Sequence, residues 1–222
     1  MYSPIALFTY ERLEILKKTV NSLKSNTLSS KTDLYIFSDG PKDKFNVKNI
    51  KKVRTYLKSI NGFQSVTIIK RKINIGLEKN LIKGLEHIFK NHERVIVLED
   101  DIATSKYFLK YLNDALNKYE KSKKVCQVSG YSFLEKYSKK YGLDELYFIK
   151  GSDCLAWGTW KDRWDIFTND ALSLSKELRK RKLISQFNRG NNYNYFKMLL
   201  DKSRNKNNSW AICWYAKNFF GK

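Results

Sequence analysis

The first hundred residues alternate between short apolar runs and longer segments in which apolar residues recur every three or four positions. The apolar runs predict strands at 5–9, 34–38, 66–70 and 95–98. The segments between them predict amphipathic helices at 13–25, 47–60 and 77–89. Strands separated by helices of this length pair in parallel through right-handed crossovers. This half therefore predicts a doubly wound nucleotide-binding sheet.

The pattern loosens after residue 105. It predicts a helix at 106–120, strands at 125–129 and 146–149, and further helices near 172–186 and 193–203. The segment around Trp157, Trp160 and Trp164 is predicted to be helical. The apolar segment 210–220 is followed only by Gly221 and Lys222, and this abrupt end suggests a truncated C-terminus. We expect one α/β domain with a nucleotide-binding half, 1–104, and a smaller acceptor half, 105–222.

The net charge of the chain bears on the binding partners of the protein and not on its fold. Its 222 residues carry 43 Lys+Arg against 22 Asp+Glu, a formal net charge of +21. Such a field attracts nucleic acid, anionic membrane surfaces or phosphate-bearing substrates. The basic residues are spread along the whole chain, and the densest cluster, 179–182, lies in a predicted helix. A solvated surface and contact with an anionic surface both stay open.

The cellular location is constrained by what the sequence contains. Three widely separated cysteines lack the spacing of a zinc site and lie in apolar contexts, which favours buried thiols in a reducing compartment. No run approaches the ~20 apolar residues that span a bilayer, and the N-terminus does not resemble a signal peptide. We expect a cytoplasmic protein, peripheral at the inner membrane face if the basic surface contacts lipid.

Polar residues capable of binding a nucleotide follow three of the predicted strands. In an open parallel sheet, ligands bind at the carboxyl ends of the strands. A helix that starts there offers backbone N–H groups to phosphates. The candidates for nucleotide-sugar binding at these strand ends are Thr9, Tyr10, Arg12, Asp39, Asn74, Gly76 and Lys79.

The fourth strand ends in three consecutive carboxylates, Glu99, Asp100 and Asp101. These groups repel one another and favour a cation. Mg²⁺ or Mn²⁺ held by one or two carboxylates together with substrate phosphates meets that need, and it would stabilise a diphosphate leaving group. The alternative is an exposed acidic turn in which Asp101 caps the following helix. The triplet occurs in the same chain as Asp39 and in the order of strands and helices described above, and this combination favours the metal site.

Four segments together resemble the nucleotide-sugar half of GT-A glycosyltransferases: SPIALFTYERLEILKKTVNSL, IFSDG, NIGLEKNLIKGL and VIVLEDDI. The resemblance is to bacterial family-2-like enzymes of surface-polysaccharide synthesis and to the N-acetylglucosaminyltransferase I type. It implies that Asp101 binds the metal of a DxD-equivalent motif, with Glu99 and Asp100 toward the sugar or ribose. It further implies that Asp39 recognises uracil and that Arg12 lies near the nucleotide.

The second half is similar to these enzymes in fewer places. The segment 154–157 resembles the Gly-Leu-Gly-Trp segment that lines the donor sugar in these enzymes. The resemblance implies that Trp157 contacts the sugar. The alternative is that Trp157 is a core residue. Relatives often carry an aspartate base in a Trp-Asp-Asp-Trp-like segment, but the corresponding residues 209–214 contain no carboxylate. An inverting transfer needs a general base. Asp153 and Asp162 are the nearest candidates.

The sequence therefore predicts a metal-dependent, inverting glycosyltransferase that uses a nucleotide-sugar, UDP-linked by the resemblance. Its acceptor would be a glycan or lipid-linked glycan. The missing carboxylate leaves a non-catalytic sugar-nucleotide binder as an alternative. A nucleotidylyltransferase would carry a Gly-rich basic loop after the first strand, where this chain has Tyr10, Glu11, Arg12 and Leu13. A nucleic-acid-binding module would need clustered basic and aromatic residues on one face, so we expect no nucleic-acid partner.

Overall fold

The computed structural model describes residues 2–132, 140, 142 and 146–221. Its strands are β1 Ile5–Thr9, β2 Asp33–Ser38, β3 Ser65–Lys70, β4 Arg94–Glu99, β5 Val128–Ser129 and β6 Trp157–Trp160. The helices between the first strands are α1 Leu13–Lys24, α2 Val47–Leu57, α3 Gly76–Ile88 and α4 Phe108–Lys118. The later helices are Lys161–Trp164, Ala171–Lys180, Ile184–Phe187, Tyr195–Ser203 and Trp210–Phe220.

The six strands form one sheet in the order β3-β2-β1-β4-β6-β5. Strands β1 to β4 pair in parallel, while β6 runs antiparallel to both β4 and β5. The mostly parallel, doubly wound α/β sheet predicted from the sequence is confirmed. From β1 the chain moves outward to β2 and β3, then returns to the other side of β1 as β4. The carboxyl ends of β1 and β4 therefore lie at the switch point, where open α/β sheets bind ligands.

The two faces of the sheet are covered by different helices. Ile5 and Leu7 share a buried cluster with apolar residues of α1, α2 and α4. The rings of Phe8 and Phe37, on the opposite face, stack at 5.0 Å, and both lie beside Gly84 of α3. Since side chains alternate between the faces of a strand, successive residues of β1 anchor helices on opposite sides. This packing holds the N-termini of α1 and α3 at the carboxyl edge of the sheet.

The aromatic segment predicted to be helical begins as a strand instead. Trp157–Trp160 pairs with β4 from Val97 to Arg94, and all four of its residues are buried. The indole N–H of Trp160 donates to the carbonyl oxygen of Leu116 in α4 at 3.1 Å. Trp and Thr suit a pleated, buried surface, and an open edge of β4 offered backbone partners that a helix would have left unpaired. Only Lys161–Trp164 is helical.

Three further predictions in the second half need correction. The strand predicted at 125–129 is limited to Val128–Ser129, and residues 146–149 form no strand. All four side chains of 146–149 are exposed, with Phe148 at 71%. The helix predicted at 172–186 is interrupted at Lys182, whose φ of 56° is left-handed. Apolar composition alone did not distinguish a buried strand from an exposed loop.

The described residues fall into two compact units, each with its own core. The first lies within Met1–Gly130 and Leu155–Lys161, and the second within Tyr131–Cys154 and Asp162–Lys222. In the second, Leu178, Phe187 and Leu199 pack with buried residues of Trp210–Phe220. The interpretation of the chain as a single domain with halves 1–104 and 105–222 stays a prediction. No helix of the described residues has the length and apolar character needed to cross a membrane.

We expect Gly84→Ala to destabilise the first unit, although alanine favours a helix by up to about 1 kcal/mol. A Cβ at position 84 would stand 2.6 Å from the buried ring of Phe8. Overpacking of this kind costs about 1–3 kcal/mol, so a net loss of about 1–2 kcal/mol should appear in urea unfolding. Lys83→Ala, at the exposed neighbouring position, serves as the control and should change little. A more stable Gly84→Ala protein would contradict this packing.

Candidate donor-binding site at the strand ends

Asp100 joins the ends of β1 and β4. Its carboxylate accepts hydrogen bonds from Thr9 Oγ1 at 2.9 Å and from the Tyr10 backbone N–H at 3.2 Å, and it forms an ion pair with Arg12. Its carbonyl oxygen accepts from Thr19 Oγ1 in α1 at 2.7 Å. The residue is only 3% exposed. Asp100 therefore holds the β1–α1 turn against the end of β4, and its carboxylate is fully engaged in doing so.

Asp101, the next residue, is much more accessible. Its side chain is 43% exposed, and its Oδ2 accepts from Arg12 Nη2 at 3.1 Å. The Arg12 guanidinium thus contacts both aspartates, placing one positive charge between two negative ones. Two neighbours in sequence therefore differ in role: Asp100 is committed to the fold, and Asp101 presents a carboxylate to solvent.

Glu99 ends β4 in a partly buried position. Burial, reinforced by the charges of Asp101 and Asp100, raises the pKa of its carboxyl to about 7, although Arg12 opposes the shift. The raised pKa measures how strongly this strand end disfavours further negative charge. Among the described residues, no three or more His, Cys, Asp or Glu side chains are grouped so that they could hold a metal ion by themselves. A metal held by one or two carboxylates together with substrate phosphates does not require such a group.

Asp39, at the end of β2, is bound to the start of α3. Its Oδ1 accepts from the backbone N–H of Gly40 at 2.8 Å and of Ile75 at 3.0 Å. Its Oδ2 accepts from the backbone N–H of Gly76 at 3.0 Å. A carboxylate at a helix N-terminus is favoured by the helix dipole. The structure therefore gives Asp39 a structural role that the strand-end pattern did not reveal.

Glycines permit this close approach. Gly76 has a φ of +79°, and a Cβ on Gly40 would stand 2.3 Å from the Ile73 backbone. Asn74 closes the same turn, because its side-chain amide donates to the Gly40 carbonyl at 3.2 Å. The β2 and β3 ends are thus locked together by main-chain contacts that no bulkier side chain at position 40 would allow.

Two other predicted nucleotide contacts lie at this edge. Tyr10 is half-buried, and its hydroxyl accepts from the Lys42 backbone N–H at 3.3 Å. Lys79 is exposed on the first turn of α3. Together with Thr9, Arg12, Asp39, Asn74 and Gly76, they follow strands β1, β2 and β3, whose carboxyl ends share one edge of the sheet with the acidic end of β4.

Arg54 of α2 was not identified from the sequence. It donates to Ser38 Oγ at 3.2 Å, to the Asp39 carbonyl at 3.1 Å and to the Arg71 carbonyl at 2.7 Å. It therefore ties the ends of β2 and β3 to α2. The signal was its position four residues after Ile50 and three before Leu57, which puts a cation beside the buried face of the helix.

The three predicted residues that remain are Trp157, Asp153 and Asp162. Trp157 is 1% exposed within β6, so its indole forms part of the core and offers almost no surface to a sugar ring. Asp153 and Asp162 belong to the second unit. Asp162 Oδ1 accepts from Arg163 Nη1 at 2.6 Å. The predicted roles of these three residues in sugar contact and base catalysis stay predictions.

The mostly parallel α/β sheet with a carboxylate triplet at its switch point agrees with the GT-A fold. Residues 5–176 match the family described as Glycosyl transferase family 2. The chain belongs to this family. No curated protein matches the chain.

Solved structures share parts of this fold. Mannosyltransferase PcManGT from Pyrobaculum calidifontis, in complex with GDP-Man and Mn²⁺, is 11% identical with a TM-score of 0.51, covering 74% of this chain and 47% of that one. TarS 1-349 from S. aureus, in complex with UDP-GlcNAc, is 17% identical with a TM-score of 0.41, covering 54% and 32%. A longer TarS structure is 16% identical with a TM-score of 0.41, covering 54% and 20%. The chain spans about a fifth to a half of these proteins.

The contrast between the two aspartates should appear in their contributions to stability. Asp100→Asn removes the charge of a buried carboxylate that accepts three hydrogen bonds, and it should lower the free energy of unfolding by about 2–3 kcal/mol. Asp101→Asn changes an exposed side chain and should stay within about 0.5 kcal/mol. Urea unfolding of the two isosteric variants measures the difference. Equal losses would show that Asp100 does not hold the two strand ends together.

Proposed function

We propose that this protein is a glycosyltransferase that binds a UDP-sugar at the carboxyl edge of the sheet with a divalent ion at Asp101. The sugar passes to a glycan or lipid-linked glycan acceptor in surface-polysaccharide synthesis. The observation that carries the proposal is the meeting of Thr9, Arg12 and the Glu99–Asp101 triplet at the switch point between β1 and β4. The narrower resemblance to the N-acetylglucosaminyltransferase I type stays a prediction.

The nucleotide is proposed to lie across the ends of β1, β2 and β3. Asp39 uses lone pairs on both oxygens for backbone N–H groups, but a carboxylate has about four acceptor positions. A uracil N–H could therefore bond to one that remains. Arg12 and exposed Lys79 supply positive charge for the phosphates. Because PcManGT is described with GDP-Man, the proposed preference for uracil rests on Asp39 alone.

The chemistry of the donor set fits a hard divalent cation, Mn²⁺ or Mg²⁺. Asp101 offers an accessible carboxylate, and the raised pKa of the neighbouring Glu99 reflects a strand end at which a cation would be favourable. Arg12 already places one positive charge between the two aspartates, which indicates that the position stabilises a cation. When bound, such an ion neutralises charge on the diphosphate leaving group. The description of PcManGT with Mn²⁺ agrees with this assignment.

Transfer with inversion also requires a general base that accepts the proton of the attacking hydroxyl. Asp153 and Asp162 remain our candidates, with Asp162 ion-paired to Arg163. Residues 209–214, which the resemblance implies as the place of the relatives' base, lie at the start of Trp210–Phe220, where Trp214 is fully buried. A chain without a base would bind nucleotide-sugar and not transfer it. Assays of sugar transfer by Asp153→Asn and Asp162→Asn distinguish these possibilities.

The metal proposal predicts that Asp101→Asn abolishes Mn²⁺-dependent binding of UDP. The amide cannot supply the charge that holds the ion, and the exposed position leaves the fold intact. Isothermal calorimetry with and without Mn²⁺ measures the effect. Asp114→Asn removes an exposed carboxylate from α4 and is the matched control, expected to bind like the unmodified protein. Unchanged UDP affinity of Asp101→Asn in Mn²⁺ would exclude Asp101 as the ligand.

The base-recognition proposal predicts a preference for UDP over ADP that Asp39→Asn flattens by about one to two decades, since a lost bond to a buried carboxylate costs about 1–3 kcal/mol. Asp43→Asn alters a nearby carboxylate that bonds only the backbone of residues 45 and 46, so it should keep the preference. Calorimetric titration of each protein with both nucleotides gives the ratio. Equal affinity of the unmodified protein for UDP and ADP would refute uracil recognition.

A further inference from the structure

Helix α2 carries an unbroken basic stripe on its outer face. Lys48, Lys51 and Lys52 occupy positions i, i+3 and i+4, which lie together on one side of a helix. The buried face is formed by Ile50, Val53 and Leu57. Residues 47–57 contain no Asp or Glu. The stripe therefore has no acidic partner on its own helix.

The stripe forms one wall of an open groove of about 790 Å³ between α1 and α2. Lys44, just before α2, and Lys17 on α1 complete a set of five lysines around it. Within the described part of the chain, Lys17 is ion-paired with Glu14 at 2.8 Å. The same part of the chain provides no ion pair to Lys48, Lys51 or Lys52. Like charges so close together are unfavourable unless an anion joins them.

An exposed aromatic residue stands at the start of this surface. Phe45 is 78% exposed, and Lys44 Nζ lies 5.4 Å from the centre of its ring. The Phe45 backbone N–H donates to Asp43 Oδ1 at 2.8 Å, which fixes the turn that presents the ring. A cation and an apolar side chain side by side suit the boundary between lipid headgroups and acyl chains. A duplex nucleic acid, whose bases are already stacked on one another, offers the ring no comparable apolar environment.

We propose that the α1–α2 surface, formed by Lys17, Lys44, Phe45, Lys48, Lys51 and Lys52, is the docking surface for an anionic membrane. The lysines neutralise lipid phosphates, and Phe45 inserts below the headgroups. The formal net charge of +21 attracts the whole protein toward such a bilayer. The α1–α2 surface determines which side of the protein faces the bilayer.

The position of this surface suits an acceptor carried by the membrane. The groove begins at Leu13, directly after Arg12, and at Lys44, five residues after Asp39. Both connections leave the carboxyl edge of the sheet, where the nucleotide-sugar is proposed to bind. Docking through α1 and α2 would therefore bring that edge near the bilayer surface. This consequence rests on the proposed function, whereas lipid binding itself does not.

The basic cluster at 179–182 is a weaker candidate for the same role. The Arg179 guanidinium lies 5.3 Å from the Phe196 ring centre, and that of Arg181 lies 5.2 Å from the Phe220 ring centre. Arg181 is also ion-paired with Glu177 at 2.6 Å. These arginines are already used within the second unit. The α2 lysines have no comparable contact among the described residues.

The test is co-sedimentation with phosphatidylcholine vesicles with and without phosphatidylglycerol. Lys51→Gln/Lys52→Gln should weaken binding to the anionic vesicles by roughly 25-fold, about fivefold for each lysine near the surface. The matched control, Lys83→Gln/Lys90→Gln, removes two exposed lysines near α3, on the opposite face of the sheet. It should lose little. Equal losses in both variants would mean that only net charge matters and would overturn the proposal.

Phe45→Ser separates membrane insertion from simple charge attraction. At about 1 M salt the screening length falls to roughly 3 Å, so the binding that survives should depend on Phe45 and disappear in this variant. A duplex oligonucleotide provides the competing partner. Binding to the oligonucleotide that Lys51→Gln/Lys52→Gln abolishes, with no binding to vesicles, would assign the surface to nucleic acid instead.

Failure of the docking surface and failure of the donor site give different results. Calorimetric titration with UDP and Mn²⁺ should be unchanged in the lysine variants, because none of these residues lies in the proposed donor site. Lipid binding without any nucleotide binding would refute the proposed donor and leave the docking surface intact. Nucleotide binding with no response to anionic vesicles would refute the docking surface alone.

Discussion

The hydrogen bonds that converge on the buried carboxylate of Asp100 are the interaction on which the rest of the site depends. The ends of β1 and β4 meet there through Thr9 and Asp100, which are 91 residues apart in sequence. The cost of burying a carboxylate is offset because a hydroxyl, a backbone N–H and a guanidinium all donate to it. The start of α1, the position of Arg12 and the exposure of Asp101 all follow from this arrangement.

Asp39 repeats the same principle at the ends of β2 and β3. In both places a carboxylate at a strand end accepts main-chain N–H groups and fixes the turn that follows. Arg54 adds a cation that gathers carbonyl groups of the same two strands. The edge is therefore rigid before any ligand arrives, which lowers the ordering cost of binding. Asp101 presents its carboxylate outward while its neighbours hold the backbone in place.

Negative and positive charge are concentrated in different parts of the molecule. The acidic triplet is confined to the end of β4, where Arg12 offsets part of its charge and burial raises the pKa of Glu99 to about 7. The excess of positive charge lies elsewhere and includes the lysine stripe of α2, which has no ion pair within the described residues. The protein thus combines a local negative centre with a strongly basic surface that attracts anions.

The order of strands and helices in the first hundred residues was determined by the sequence itself, since apolar periodicity reflects which face of each element is buried: β1 was predicted from residue 5 to residue 9 as observed. The same pattern predicted that polar strand-end residues share one edge. It could not separate Asp100 from Asp101, because identical side chains acquire different roles only from partners distant in sequence. Nor could it predict β6, whose strand form depends on the open edge of β4. The spacing of Arg54 from Ile50 and Leu57 places it beside the buried face of α2, but its partners were decided only when two strand ends met there. Tertiary contacts decide which polar groups are used by the fold and which remain for function.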